Sequence, residues 1–155
     1  MSEGLPDRAQ GWLLLYHPLF LAELEALTRR VEALKHRDGA AYVTRNDAKR
    51  LAAIFRLITE IIPANPADPQ FRQGNTLGTS HRGWFRAKFF QQYRLFFRFD
   101  ARSRTIIYAW VNDEDTKRAY DSKTDAYAVF ARMLATGNPP NDWEALIREA
   151  QPSAE

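Results

Sequence analysis

At 155 residues, 45% hydrophobic and 26% charged, the chain is long enough to bury one core and too short for two ordinary domains, so residues 1–155 read as a single domain. With no cysteine, disulfide frameworks and cysteine-based metal sites are excluded, and with three histidines a catalytic zinc site is not expected; neither metal nor cofactor is called for. The net charge of +3 is mild, the start has no secretory apolar region, and the longest apolar run, Trp12 to Tyr16, is too short to span a bilayer, so the expectation is a cytoplasmic protein.

Gly11 opens that apolar run and His17-Pro18 closes it, which predicts a first strand ending where proline blocks continuation. Phe20, Leu24, Leu27, Val31 and Leu34 then recur at three- and four-residue steps, the pattern of an amphipathic helix that stops near Asp38-Gly39. A second helix is predicted from a cap at Thr44 or Asn46, through Leu51, Ile54, Phe55, Ile58 and Ile61, to Pro63. Residues 63 to 80 hold prolines, glycines and small polar residues and read as a loop.

Three strands are predicted next, Trp84 to Phe90, Tyr93 to Phe99 and Thr105 to Val111, and links this short require antiparallel pairing. Beyond Asn112 the pattern is helical again. Tyr127, Phe130, Met133 and Leu134 form an apolar stripe ending at Gly137-Asn138-Pro139-Pro140, and Asp142 caps a last short helix through Arg148. No internal repeat or low-complexity segment is present.

Charge is unevenly distributed. Between Arg82 and Arg104 lie Arg82, Arg86, Lys88, Arg94, Arg98, Arg102 and Arg104, nearly a third of the 22 basic residues, against one acid, Asp100. Side chains alternate across a strand, so Arg86 and Lys88 share one face of the first central strand, and Arg94, Phe96 and Arg98 share one face of the next. Antiparallel pairing gathers these cations, which repel one another unless an anion normally lies over them. RNA meets the demand: arginine forks bind phosphate, and Phe96 either stacks a base or packs in the core.

The third strand runs into Asn112-Asp113-Glu114-Asp115-Thr116-Lys117-Arg118-Ala119-Tyr120, which reads both as a capped helix start and as a polar site segment, with Arg118 and Tyr120 assigned to the site. His81, just ahead of the basic strand, is either a further RNA contact or an exposed loop residue. His17 reads as a locally bonded turn residue.

Along nearly its full length the chain resembles the YhaV toxins of the RelE/ParE superfamily. The resemblance rests on GWLLLYHPLF (11–20), QQYRLFFRF (91–99), WVNDEDTKRAYDSKTDAYAVFARML (110–134) and NPPNDWEAL near the end. It implies an α+β fold in which an N-terminal helical hairpin packs on a twisted antiparallel sheet, with C-terminal helices. The implied activity is that of a type II toxin cleaving mRNA, on the ribosome or free, without metal. The implied partner is a PrlF-type antitoxin of the swapped-hairpin DNA-binding class, and the pair binds operator DNA to repress its own operon. The same resemblance assigns Arg86 and Lys88 to the basic pair of the first central strand, Arg94 to the arginine of the second, and Tyr120 to the terminal tyrosine. Where RelE-like chains have further basic residues this one has Asp113 to Asp115, leaving Arg118 as the nearest arginine.

The expected reaction is attack of a ribose 2′-hydroxyl on the neighbouring phosphate, with Arg94, Arg86 and Lys88 stabilising the added charge of the transition state and Tyr120 supplying a proton. Arg82, Phe96, Arg98 and His81 are expected to hold RNA. Two rival readings are a non-catalytic ParE-like inhibitor of a topoisomerase and a DNA-binding co-repressor.

Overall fold

The computed structural model describes residues 4–74, 76–119 and 122–151. Strand β1 (Arg8–Ala9) pairs antiparallel with β2 (Trp12–Tyr16), and proline ends β2 as anticipated. Helix α1 (Pro18–Asp38) follows directly. Its N-cap is His17, whose Nδ1 accepts from the Leu19 amide at 3.1 Å while Nε2 meets Glu149 at 2.8 Å. His17 is thus the locally bonded residue the sequence suggested, and it also ties the start of α1 to the C-terminal helix.

Helix α2 (Asn46–Arg56) begins differently from the prediction. Neither Thr44 nor Asn46 caps it; Arg45 occupies the N-cap position without a side-chain bond to the helix amides, and the Thr44 hydroxyl donates back to Ala41 instead. The helix continues through a π turn (Leu57–Ile61) into a last turn, α3 (Ile62–Ala64). Pro63 has no N–H, so carbonyls one turn back lose their helical donor. Two side chains distant in sequence replace it. The Gln10 side chain donates to the carbonyls of Thr59 and Glu60, and the Tyr108 hydroxyl donates to Ile58 at 2.9 Å. Burial pushes the Tyr108 hydroxyl well above the usual tyrosine range, with a lesser contribution from Tyr16, and keeps it a donor.

Strands β3 (Phe85–Phe89), β4 (Tyr93–Asp100) and β5 (Thr105–Val111) complete a five-stranded sheet of order β1-β2-β5-β4-β3. The three consecutive strands pair antiparallel, but β2 lies parallel to β5, so the sheet is mixed rather than wholly antiparallel. A parallel neighbour needs a long crossover, which the two N-terminal helices and the following loop supply. The arrangement is the α+β, RelE-like class expected.

One sheet face packs on α1 and α2 through Phe20, Leu24, Ile54, Ile58, Leu95, Phe97 and Tyr108. The other carries helices α4 (Ala126–Ala135) and α5 (Trp143–Ala150), the latter capped by Asp142 as predicted. Because both faces are covered, every residue of β5 is buried, which explains its unbroken apolar run. The β4–β5 register shifts between Phe96 and Phe97, where Phe96 pairs with Trp110 and Phe97 with Tyr108. This bulge sets Trp110 on the α4 side, where Phe130 lies 5.8 Å from it and 4.3 Å from Phe96.

That three-ring stack carries α4. Phe130→Ala should cost about 3–5 kcal/mol of unfolding free energy, read from the denaturant midpoint at unchanged m-value.

Candidate active site

Antiparallel register sets Arg86 opposite Phe96 and Lys88 opposite Arg94, so the basic residues of β3 and β4 fall on one face, as alternation predicted. Helix α4 covers that face. The Asp125 carboxylate caps its first turn, accepting from the Tyr127 and Ala128 amides, and fixes Tyr127 directly above the strands.

The Tyr127 hydroxyl oxygen accepts from Arg86 Nε at 2.8 Å and from Arg94 Nε at 3.1 Å. Each guanidinium is held by a second, backbone contact. Arg86 Nη1 donates to Gln70 O at 2.7 Å, and Arg94 Nη1 donates to Gln91 O at 2.7 Å and Tyr93 O at 2.9 Å. Arg94 is buried, and Asn112 fixes its backbone by accepting from the Arg94 amide while donating to Gln92 and Thr116.

Arg118 completes the group. Its guanidinium lies 4.7 Å from the centre of the Tyr127 ring and donates to Asp125. Burial raises the Asp125 pKa, but the bonds from Arg118 and the Ala119 and Ala128 amides outweigh it and hold the carboxyl below its usual range.

Two arginine Nε atoms bonded to one oxygen lie within about 6 Å of each other, where like charges repel by roughly 1–3 kcal/mol. Among the described residues, no carboxylate comes within 4.0 Å of Arg86, Lys88 or Arg94. The Nη2 nitrogens of Arg86 and Arg94 have no acceptor there, and since no buried side-chain nitrogen is left unbonded, both reach solvent. The arrangement is a cationic cradle with its inner edge fixed by protein and its outer edge open to an anion. No three His, Asp or Glu side chains among the described residues cluster as metal ligands.

Other candidates lie elsewhere. Phe96 is wholly buried between Phe130 and Trp110, so it is core and offers no face to a base. Arg98, although on the face predicted, turns to a second polar group, donating to Asn141 O and lying over the rings of Trp84 and Trp143. His81 belongs to the same group, its Nδ1 3.1 Å from the Asn141 side-chain oxygen that also accepts from Trp84. These residues anchor the segment ahead of α5 rather than joining the cradle. Arg82 is exposed beside the turn Thr79–His81. Tyr120 lies outside the described residues. In the polar segment, Asp113 caps a short turn (Glu114–Thr116), as the capping interpretation required.

Tyr127, the residue at the centre, was placed by the sequence only in an apolar stripe. The one signal was its hydroxyl, since a buried tyrosine needs a polar partner.

The family model described as a toxin with endonuclease activity, of a toxin–antitoxin system, matches residues 14–151. The chain belongs to the YhaV toxin family. It is 45% identical over 150 residues to Toxin YhaV of Escherichia coli O6:H1, covering 96% of this chain and 97% of that protein. It is equally similar to the protein named Ribonuclease toxin YhaV in Escherichia coli K12, at 45% over 148 residues, 94% of this chain and 96% of the relative. No solved structure matches the chain. For a YhaV toxin, endonuclease activity is the established property and an antitoxin the implied partner; the cradle is where its charge is concentrated. No helix among the described residues is long and apolar enough to cross a membrane.

The depressed Asp125 carboxyl makes the cradle pH-dependent. A lowered folded pKa contributes stability that is full above the unfolded value of about 3.9 and is lost as pH falls through the lower folded value. Asp125→Asn should cost about 1 kcal/mol at pH 7, and its stability gap from the parent should close below about pH 4, measured by denaturant unfolding across pH.

Proposed function

We propose that this toxin is an RNA endonuclease that inhibits translation by cutting messenger RNA without a metal, and that Arg86, Lys88, Arg94, Arg118 and Tyr127 form its active site. The observation that carries this reading is the convergence of Arg86 and Arg94 on one hydroxyl, with no carboxylate among the described residues within 4.0 Å of either guanidinium. The ribonuclease name of the Escherichia coli K12 relative supports the choice of RNA.

In the proposed reaction a ribose 2′-hydroxyl attacks the adjacent phosphorus and the 5′-oxygen leaves. The products are a 2′,3′-cyclic phosphate and a 5′-hydroxyl. The pentacoordinate transition state carries more negative charge than the ground state, so guanidinium nitrogens already fixed in place bind it more strongly. Arg94 serves this role from the buried side, Arg86 from beside it, and exposed Lys88 from across the strand pair. The Tyr127 oxygen accepts from both arginines, which leaves its own proton for donation, in the proposed reaction to a phosphate oxygen. Tyr120, assigned to the site by resemblance, is a second candidate for handing a proton to the leaving oxygen. The proposed partner is a PrlF-type antitoxin, with operator DNA bound by the pair, in the cytoplasm; ribosome-bound messenger is a proposed substrate.

Purified protein should cleave RNA in EDTA and leave cyclic phosphate ends; failure of both would remove the reading. Lys88→Ala should lower kcat about tenfold to a hundredfold with stability within about 0.5 kcal/mol of the parent, because Lys88 is exposed. Arg94→Ala should cost at least a hundredfold, with circular dichroism confirming that the variant is folded.

A further inference from the structure

Beside the cradle, at the sheet edge formed by β3, two clefts meet. One, of about 380 Å³, lies between α2 and β3 and is lined by Lys49, Arg56 and Lys88 over a floor that includes Leu57 and Phe89. The other, of about 320 Å³, lies at the tip of the β3–β4 hairpin and is lined by Lys49, Phe90, Tyr93, Glu114 and Lys117. Lys49 borders both, so they form one groove.

Three features of this groove point to a polyanion. Among the described residues no acid lines the first cleft and no carboxylate lies within 4.0 Å of Lys49, Arg56 or Lys88. Lys49 and Arg56 are exposed on α2, seven residues and so about two turns apart, which spaces their charges along the groove. Lys88, on the edge strand, lines the first cleft and is also opposite Arg94 across the strand pair, so it is the residue that the groove shares with the cradle.

The hairpin tip adds a different kind of surface. Phe90 is 52% exposed and has φ of 45°, followed by Gln91 with φ of 62°. A bulky aromatic side chain rarely adopts the left-handed region, and here the conformation presents the ring to solvent instead of the core. An exposed aromatic ring beside a row of cations is the arrangement that binds single-stranded nucleic acid: phosphates lie along the charges and a base stacks on the ring. The second cleft is kept open from behind. Buried Arg50 lies 4.9 Å from the Tyr93 ring centre, donates to the Tyr93 hydroxyl at 2.9 Å and reaches Glu114 at 3.3 Å. Lys117 also pairs with Glu114, at 2.9 Å, which neutralises the acid that the lining holds among the described residues.

We propose that this groove holds the single-stranded RNA flanking the cleaved bond, with phosphates on Lys88, Lys49 and Arg56 and a base stacked on Phe90. The proposal rests on the ribonuclease reading above. It transfers the stacking role expected of Phe96 to the aromatic residue that is exposed. It also makes the substrate an extended strand several nucleotides long, because the cleaved phosphate and the stacked base occupy different parts of the surface.

Two variants test it, Lys49→Ala/Arg56→Ala and Phe90→Ala, all at exposed positions. The probe for affinity is a single-stranded 2′-O-methyl RNA oligonucleotide, which cannot supply the attacking hydroxyl, titrated by fluorescence anisotropy at several salt concentrations. Loss of both cations should lower the slope of log affinity against log salt by about 1.4, and Phe90→Ala should weaken binding about tenfold with the slope unchanged. On cleavable RNA of the same sequence the losses should fall on KM, with the saturating single-turnover rate within about twofold of the parent. Unchanged affinity and slope in both variants would overturn the groove assignment. So would intact RNA affinity combined with loss of binding to the purified cognate antitoxin, which would make the groove a protein-docking surface. If the parent binds through the groove yet does not cut RNA, the ribonuclease reading fails and the groove assignment stands.

Discussion

A site that holds two guanidinium groups within about 6 Å of each other must restrain them against their repulsion, and here the restraint centres on the oxygen of Tyr127. Both Nε–H groups point at it, and each arginine spends its Nη1 on backbone carbonyls. What remains of each faces outward. A flexible arginine loses rotamer freedom when it grips a phosphate, but these two have lost it on folding, so little further ordering accompanies binding. The arrangement trades native-state stability for readiness toward anions. It depends on every element that positions the tyrosine: the Asp125 cap, the ring stack of Phe96, Phe130 and Trp110, and the bulge that sets Trp110 beneath them.

The sheet divides its work between two faces. Toward α1 and α2 it is almost wholly apolar, and polar groups there serve the backbone, as Tyr108 and Gln10 do in replacing donors that Pro63 removes. Toward α4 and α5 it carries an aromatic core with a polar group at each side. Arg86, Arg94, Arg118 and Tyr127 form one. Arg98, His81, Trp84 and Asn141 form the other, which fastens the C-terminal helix to the sheet. Membership of the YhaV toxin family fits this division, since an endonuclease needs a rigid scaffold under a small number of exposed cations.

Much of this was legible in the chain. Period 3.6 marked the helices, period 2 set Arg86, Lys88 and Arg94 on one face, and the register confirms that they meet. The misread residues share a cause. Phe96 and Arg98 follow the same alternation as Arg94, yet α4 covers the first and the segment ahead of α5 engages the second, and neither contact leaves a trace in strand periodicity. Thr44 and Asn46 have better capping chemistry than Arg45, but the preceding 3-10 turn takes up the chain through Thr44 and α2 begins at Asn46, which leaves Arg45 as the residue between them.

What the sequence by itself determined is the inventory: the order of the elements, the cations each strand carries, and the face on which they project. These are local matters of φ/ψ preference and side-chain alternation, written in residues close together in the chain. The tertiary structure alone decided which cations would act together and around what. Tyr127 is 41 residues from Arg86 and 33 from Arg94, and β2 joins β5 in parallel across most of the chain. Contacts of that kind arise from how helices cover a sheet, and burial then converts an ordinary position in an apolar stripe into the oxygen that holds two charges in place.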